Sequence, residues 1–329
     1  MLVAGNGKRI WQRLKGSRLL GILIFLFLLC TALSLGTPNF FSEYNARVIM
    51  MSAMITAVVG LSQMVIIATG GMNLSVGYIG GLTAIFCASA MQDWGLSTPV
   101  AILIGLGLGT LAGLVNGVLI SRLGGTSIMS FLITLATSFA FQGISQGYSQ
   151  ANSYVRLNAD FCAVGSAEFL GMPLLAYVML LIVFAVWILF KYTGLGRQIL
   201  AFGANTRAAT LFGVRPGRTI IFANTISGFL AACAGIMLSA RMGTATIDIG
   251  LNWMLFSFAA PIIGGTRQTG GEVNVWGVVI GAIILSTIEN GIVHLNINVY
   301  WNELIRGVVI LLAIVVDTIR NTRRKESLV

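Results

Sequence analysis

The sequence predicts an all-α, polytopic membrane protein of about ten transmembrane helices, with short or broken helices near its centre and both termini on the inner side. Three observations lead there. Of the 329 residues, 57% are hydrophobic and 9% charged, and the mean hydropathy is +0.91, whereas soluble domains carry about 25% charged residues. Apolar runs of spanning length, about 17–25 residues, recur along the whole chain. The loops between them alternate between basic-rich and basic-poor. No linker, low-complexity stretch or second domain interrupts the pattern, so residues 1–329 read as one transmembrane domain.

The first run, 19–36, follows Lys8, Arg9, Arg13, Lys15 and Arg18 and superficially looks like a signal peptide. It is long for such a core, no clear cleavage site follows it, and Phe-Leu-Leu before Cys30 is a poor lipoprotein site, so it is expected to be retained. Runs 47–69 and 74–91 come next, separated by Thr69-Gly70-Gly71-Met72-Asn73-Leu74-Ser75. Hydrocarbon cannot satisfy the free backbone groups of such a break, so protein must cover it or it must line a wet cavity. Gly70 and Gly71 permit the turn, and Asn73 and Ser75 can cap the following helix.

Runs 98–120 and 127–147 follow, then a polar segment, 147–172, with Asn152, Arg156, Asp160 and Glu168. After run 173–191, the segment 192–217 carries Arg197, Arg207 and Arg215 and no acid. Within it Asn205 can cap a helix of about two turns that Gly213 can end. So short a helix needs packing against the membrane domain or a partner, and Ala208, Ala209 and Gly213 allow close approach. The last runs are 218–240, 251–264, 275–293 and 302–319. Run 251–264 is short and interrupted by Pro261 and Gly264-Gly265, a pointer to a transport pathway. Gly70-Gly71 and Gly264-Gly265 both follow a span and precede a quick return, a weak internal repeat.

With the N-terminus inside, 16 of the 20 basic residues fall in inner loops; Arg47, Arg156, Arg241 and Arg306 fall outside. Topology therefore accounts for the net charge of +10 without nucleic acid. Cys30, Cys87, Cys162 and Cys233 have no metal-ligand spacing and no disulfide framework is expected. The single histidine, His294, sits at a span boundary, and no catalytic set or nucleotide-binding loop is present, so no catalytic residue and no metal site is assigned. Glu289 is the acid placed well within a span, either at a solvated helix end, in a structural hydrogen bond, or in a proton relay. The scarcity of other buried charges argues against ion-coupled transport.

The break at 69–77 resembles the T-G-G-[IM]-D-L-S-V-G stretch of ribose-type permeases of bacterial ABC importers. Gly264-Gly265-Thr266 with Gly270-Gly271-Glu272 resembles their later G-G-T-x-x-x-G-G block. Gly196-Arg197, Gly203, Asn205, Ala208-Ala209 and Gly213 resemble their coupling segment, and 308–317 their last span. The resemblance runs from about 20 to 317.

It implies an inner-membrane permease that pairs with a second permease copy, docks a cytoplasmic ABC ATPase on the basic-side helix, and receives a monosaccharide, a related polyol or autoinducer-2 from a periplasmic binding protein. ATP and magnesium would belong to the ATPase; this chain would hold no cofactor, contact membrane lipid and bind no nucleic acid. By the resemblance, Asn205, Arg207, Ala208, Ala209 and Gly213 are assigned to ATPase coupling. Gly70, Gly71, Asn73, Ser75, Thr266 and Glu289 are assigned to the motif or pathway. Gln63, Phe139 and Gln142 are possible lining residues, with ordinary interhelix packing as the alternative. Two departures stand out: Asn73 replaces the usual Asp, and Thr210 and Phe212 stand where a basic residue and Ser are common. A branched-chain amino-acid permease, an ion-coupled carrier and a non-transporting scaffold are the rival readings.

Overall fold

The computed structural model describes residues 18–295 apart from 38 and 126, and beyond them 298, 301, 304, 305, 307, 308 and 311. Most of the tenth expected span, 302–319, lies outside the described residues. Helix follows helix: α1 (Arg18–Gly36), α2 (Glu43–Ala68), α3 (Val76–Gln92), α4 (Thr98–Arg122) and α5 (Ser127–Ser149). After a segment holding the short helix α6 (Ala159–Ser166) come α7 (Leu174–Tyr192), α8 (Gly194–Ala204) and α9 (Thr206–Leu211). The chain continues with α10 (Pro216–Met242), α11 (Trp253–Ile263) and α12 (Val275–His294).

Six of these, α2, α4, α5, α7, α10 and α12, are long and apolar enough to cross a membrane. The protein is therefore a multi-pass membrane protein. The expected run 19–36 is also helical, and 74–91 and 251–264 hold the shorter helices α3 and α11. Pro261 does not stop α11, contrary to the interruption its presence suggested; the helix runs on to Ile263 and ends at the Gly264 cap.

α2, α10 and α12 are mostly interior, while α4, α5 and α7 leave most of their surface outward. α10 is the central post, packed along α4 and against α2 and α3. The close approach to α4 depends on glycine: a Cβ on Gly113 would lie 2.3 Å from the Asn224 carbonyl oxygen, and one on Gly228 2.3 Å from that of Gly109. Small residues at such contacts let helix backbones touch, the main source of association among apolar helices.

Two ends can be distinguished. The C-termini of α2, α4 and α7 meet α8, α9 and the start of α10 at an end rich in Arg and Lys, here the basic end. At the opposite end, Tyr154–Val155 pairs antiparallel with Thr244–Ala245, and Glu168–Phe169 with Met172–Pro173. The Tyr154 hydroxyl donates to Asp93. Burial and then this bond push its phenol up to about 12, so it remains a donor at neutral pH. Asn45 donates from Nδ2 to the Phe40 carbonyl at 2.8 Å, which leaves its Oδ1 to accept from Asn290 Nδ2 at 2.7 Å and His294 Nε2 at 2.8 Å. His294 thus ties α12 to the start of α2 through a protonated Nε2.

Candidate functional site

The break after α2 is covered by protein. Gly70, at φ +76°, turns the chain. Its carbonyl accepts from the Ser127 hydroxyl, and that of Met72 from the Ser130 hydroxyl at 2.7 Å. Leu74 N–H donates to Thr134 Oγ1 at 3.1 Å. The Gln63 amide, in the orientation that satisfies both its ends, donates to the Asn73 carbonyl at 2.9 Å and accepts from its N–H at 3.3 Å.

The Asn73 side chain faces inward and is 1% exposed. Its Oδ1 accepts from Ser75 N–H at 2.8 Å and Ser75 Oγ at 2.6 Å; its Nδ2 donates to Ser227 Oγ at 3.3 Å. Asn116 Nδ2 donates to Ser75 Oγ at 2.7 Å, and Ser62 Oγ lies 3.0 Å from Ser227 Oγ. Ser75 occupies the N-cap of α3 but makes no side-chain capping bond, so the capping expected of Asn73 and Ser75 is replaced by this network across α2, α4, α5 and α10.

Below the network, three glycine segments converge. Gly271 N–H donates to the Ala68 carbonyl at 3.0 Å. A Cβ on Gly203 would fall 1.9 Å from that same oxygen and 2.8 Å from Gly271 N; one on Gly270 would fall 2.7 Å from Gly70 N. Backbone here lies directly on backbone. Both motif breaks and the segment leading to α9 thus form one contact. Thr266 is fully buried, with its N–H on the Pro261 carbonyl at 2.8 Å and no partner for its hydroxyl among the described residues. Asn274 closes the second break, accepting from Gly277 N–H at 3.0 Å and donating to the Gly264 carbonyl at 3.1 Å.

α9 leaves this junction. Asn205 caps it, accepting from Ala208 N–H at 3.0 Å, and Gly213 ends it at φ +86°, both as the sequence suggests. Arg207 is exposed, Ala208 half-buried and Ala209 buried, so Ala209 faces its own bundle. The outward apex is Leu211 and Phe212, 88% and 89% exposed. The sequence reading missed Leu211 and treated Phe212 as a departure; two adjacent large apolar residues closing a polar helix were the available signal.

In the half away from α9, a cavity of about 200 Å³ opens between α2, α10, α11 and α12. Ser52 and Thr56 of α2, Arg241 of α10, Asn252 and Trp253 at the start of α11, Phe256, and Glu289 of α12 line it. Of the residues assigned to the pathway, Glu289 alone lines it; Gln142 is half-buried and Phe139 61% exposed on α5. An arginine closing a helix that carries no other charge after Arg218 in its first turn, and hydroxyls spaced i, i+4 among apolar residues, were the signals that could have found Arg241, Ser52 and Thr56. Among the described residues no cluster of His, Cys, Asp and Glu is placed to hold a metal, and the four cysteines are unpaired.

Residues 45–314 match the family described as branched-chain amino acid transport system / permease component. The chain is similar to the ribose import permease protein RbsC of Escherichia coli K12, 33% identical over 299 residues, 90% of this chain and 92% of that protein. The chain belongs to the sugar-type ABC importer permease family. It is also similar to RbsC of Haemophilus influenzae, 30% identical over 307 residues, 92% of this chain and 93% of that one. The galactose/methyl galactoside import permease protein MglC of Escherichia coli K12 is 29% identical over 326 residues, 93% of this chain and 95% of that one. No solved structure matches. As a member of this family the chain is a membrane permease component of a sugar-type ABC import system.

Proposed function

We propose that this permease moves a monosaccharide inward across the bacterial inner membrane by alternating access. Two copies would enclose the pathway, a cytoplasmic ABC ATPase would dock at α9, and a periplasmic binding protein would deliver the sugar. Ten crossings with both termini cytoplasmic, one transmembrane domain per chain, fit the basic-residue pattern. The observation that carries this reading is the junction of Gly203, Gly270-Gly271 and Ala68-Gly70, which joins the α9 segment rigidly to both broken hairpins. Backbone-on-backbone packing would pass a push from a docked ATPase to α2, α3, α11 and α12 as rigid-body motion. Docking would use the exposed Leu211 and Phe212 with Arg207, while Asn205, Ala208, Ala209 and Gly213 shape and seat the helix.

The reading is tested by reconstituting the permease with its ATPase and binding protein in proteoliposomes. ATP-dependent uptake of labelled ribose, galactose or allose is expected. Uptake driven by a proton or sodium gradient alone would support an ion-coupled carrier. The family description favours one second reading, a branched-chain amino acid as cargo; leucine uptake in place of sugar would establish it.

A further inference from the structure

The cavity lined by Arg241, Trp253 and Glu289 is, we infer, a binding site for a small neutral polyhydroxylated ring, with these lining residues all supplied by one copy of the chain. This inference rests on the transport reading and adds the place where the solute sits. Size is the first argument. An apolar cavity of about 150 Å³ already takes benzene, so about 200 Å³ holds a six-membered ring with its substituents.

The lining chemistry is the second argument. Trp253 and Phe256 present aromatic surface to the apolar C–H face of a sugar ring. Arg241 supplies donors and Glu289 an acceptor, the complement a ring of hydroxyls requires. Arg241 and Glu289 are residues of opposite formal charge, which suits a neutral solute better than an anion. Polar groups converging beside apolar and aromatic wall, here Ser52, Thr56, Arg241, Asn252 and Glu289 beside Trp253 and Phe256, suit a polyhydroxylated solute, which needs both kinds of contact.

The third argument separates the cavity from a packing defect. Hydroxyls elsewhere on the helices fold back onto their own backbone: Thr110 on Leu106, Thr225 on Ile221, Ser239 on Gly235 and Thr287 on Ile283, at 2.7–2.9 Å. Among the described residues, the hydroxyls of Ser52 and Thr56 have no such partner. They are half-buried at i, i+4 on a helix whose neighbouring Ala53, Met54, Ile55, Ala57 and Val58 are buried. No ion pair joins Arg241 to a carboxylate among the described residues. Facing an open cavity and absent from the buried unpartnered atoms, these groups keep hydrogen-bonding capacity that a solute can take up.

The test uses the complete transporter in proteoliposomes with labelled D-ribose, D-galactose and D-allose. Ser52→Phe fills the cavity and is expected to lower sugar uptake by roughly tenfold or more, while the permease still co-purifies with its ATPase. In a second arm, Thr56→Cys is treated with a small thiol reagent, and the transported sugar is expected to slow labelling above the parent background several-fold. Parent-like uptake by an assembled Ser52→Phe transporter overturns the inference. If that variant does not assemble, equal Thr56→Cys labelling with and without sugar overturns it. If the parent transports none of the three sugars, the transport reading fails and this one with it. If the sugars are carried and the cavity variants behave as the parent, this inference alone fails.

Discussion

At the basic end, Gly203, Gly270 and Gly271 bring backbone onto backbone with no room for a side chain. In the opposite half, α2, α10, α11 and α12 stand apart around about 200 Å³ lined by Ser52, Thr56, Arg241 and Glu289. α2 and the α11–α12 hairpin contribute to both regions. Glycine removes the side chains that would hold backbones apart, so the first region packs without a gap. Bulky Trp253 and Phe256 line the second, where by the inference above they would offer surface to a solute. A transporter needs both properties, stiffness where force enters and space where cargo rests.

Breaking the junction should have the largest effect. Gly203→Val places a side chain against the Ala68 carbonyl, where a Cβ already falls at 1.9 Å and the obstacle is backbone. Overpacking of this kind costs about 1–3 kcal/mol or more; loss of uptake and a clearly lowered thermal midpoint in detergent are expected. A parent-like midpoint would mean that the junction is not tight.

The α9 apex should separate force transmission from folding. Phe212→Asp removes an apolar contact at a residue 89% exposed, so the thermal midpoint should hold. ATPase co-purification should fall roughly tenfold, as for a central interface anchor. Unchanged co-purification would move docking away from this apex.

The polar network above the junction should respond next. Asn73→Ala strips the acceptor from Ser75 N–H and Oγ in a site 1% exposed, at a cost of about 1–3 kcal/mol read from the thermal midpoint. Asn73→Asp should cost less, because Ser75 N–H and the hydroxyls of Ser75 and Ser227 can all donate to a carboxylate. A larger loss for Asp than for Ala would show that the network rejects charge.

The smallest effect belongs to the far surface. Arg47 pairs with Glu43 at 2.9 Å and with Glu168, all partly exposed. Arg47→Gln should shift stability by less than about 1 kcal/mol, since water screens such pairs.

Much of the fold was legible in the chain. Runs of apolar residues marked where helices lie, because length and hydrophobicity alone decide which segments can be buried in lipid. Asn205 and Gly213 bounded α9 correctly, because caps act within one helical turn. The candidate site was less legible. Asn73 and Ser75 suggested a cap, yet their side chains bond to Ser227 of α10 and Asn116 of α4, and Ala209 suggested docking, yet it faces inward. Local spacing does not reveal which way a polar group turns when a distant partner such as Ser227 is within reach.

By itself the sequence determined that this is a many-helix membrane protein and, through its glycine motifs, which permease family it belongs to. Those properties follow from composition, from the cost of unpaired backbone in lipid and from conformations that glycine adopts freely. Tertiary structure alone decided that Gly203 meets Ala68 and Gly271 at one contact, and that Ser52, Arg241, Trp253 and Glu289 face one cavity. These residues lie far apart along the chain, and their meeting depends on how small residues let α2, α10, α11 and α12 approach or diverge. That is a property of packed surfaces, which no local stretch of sequence contains.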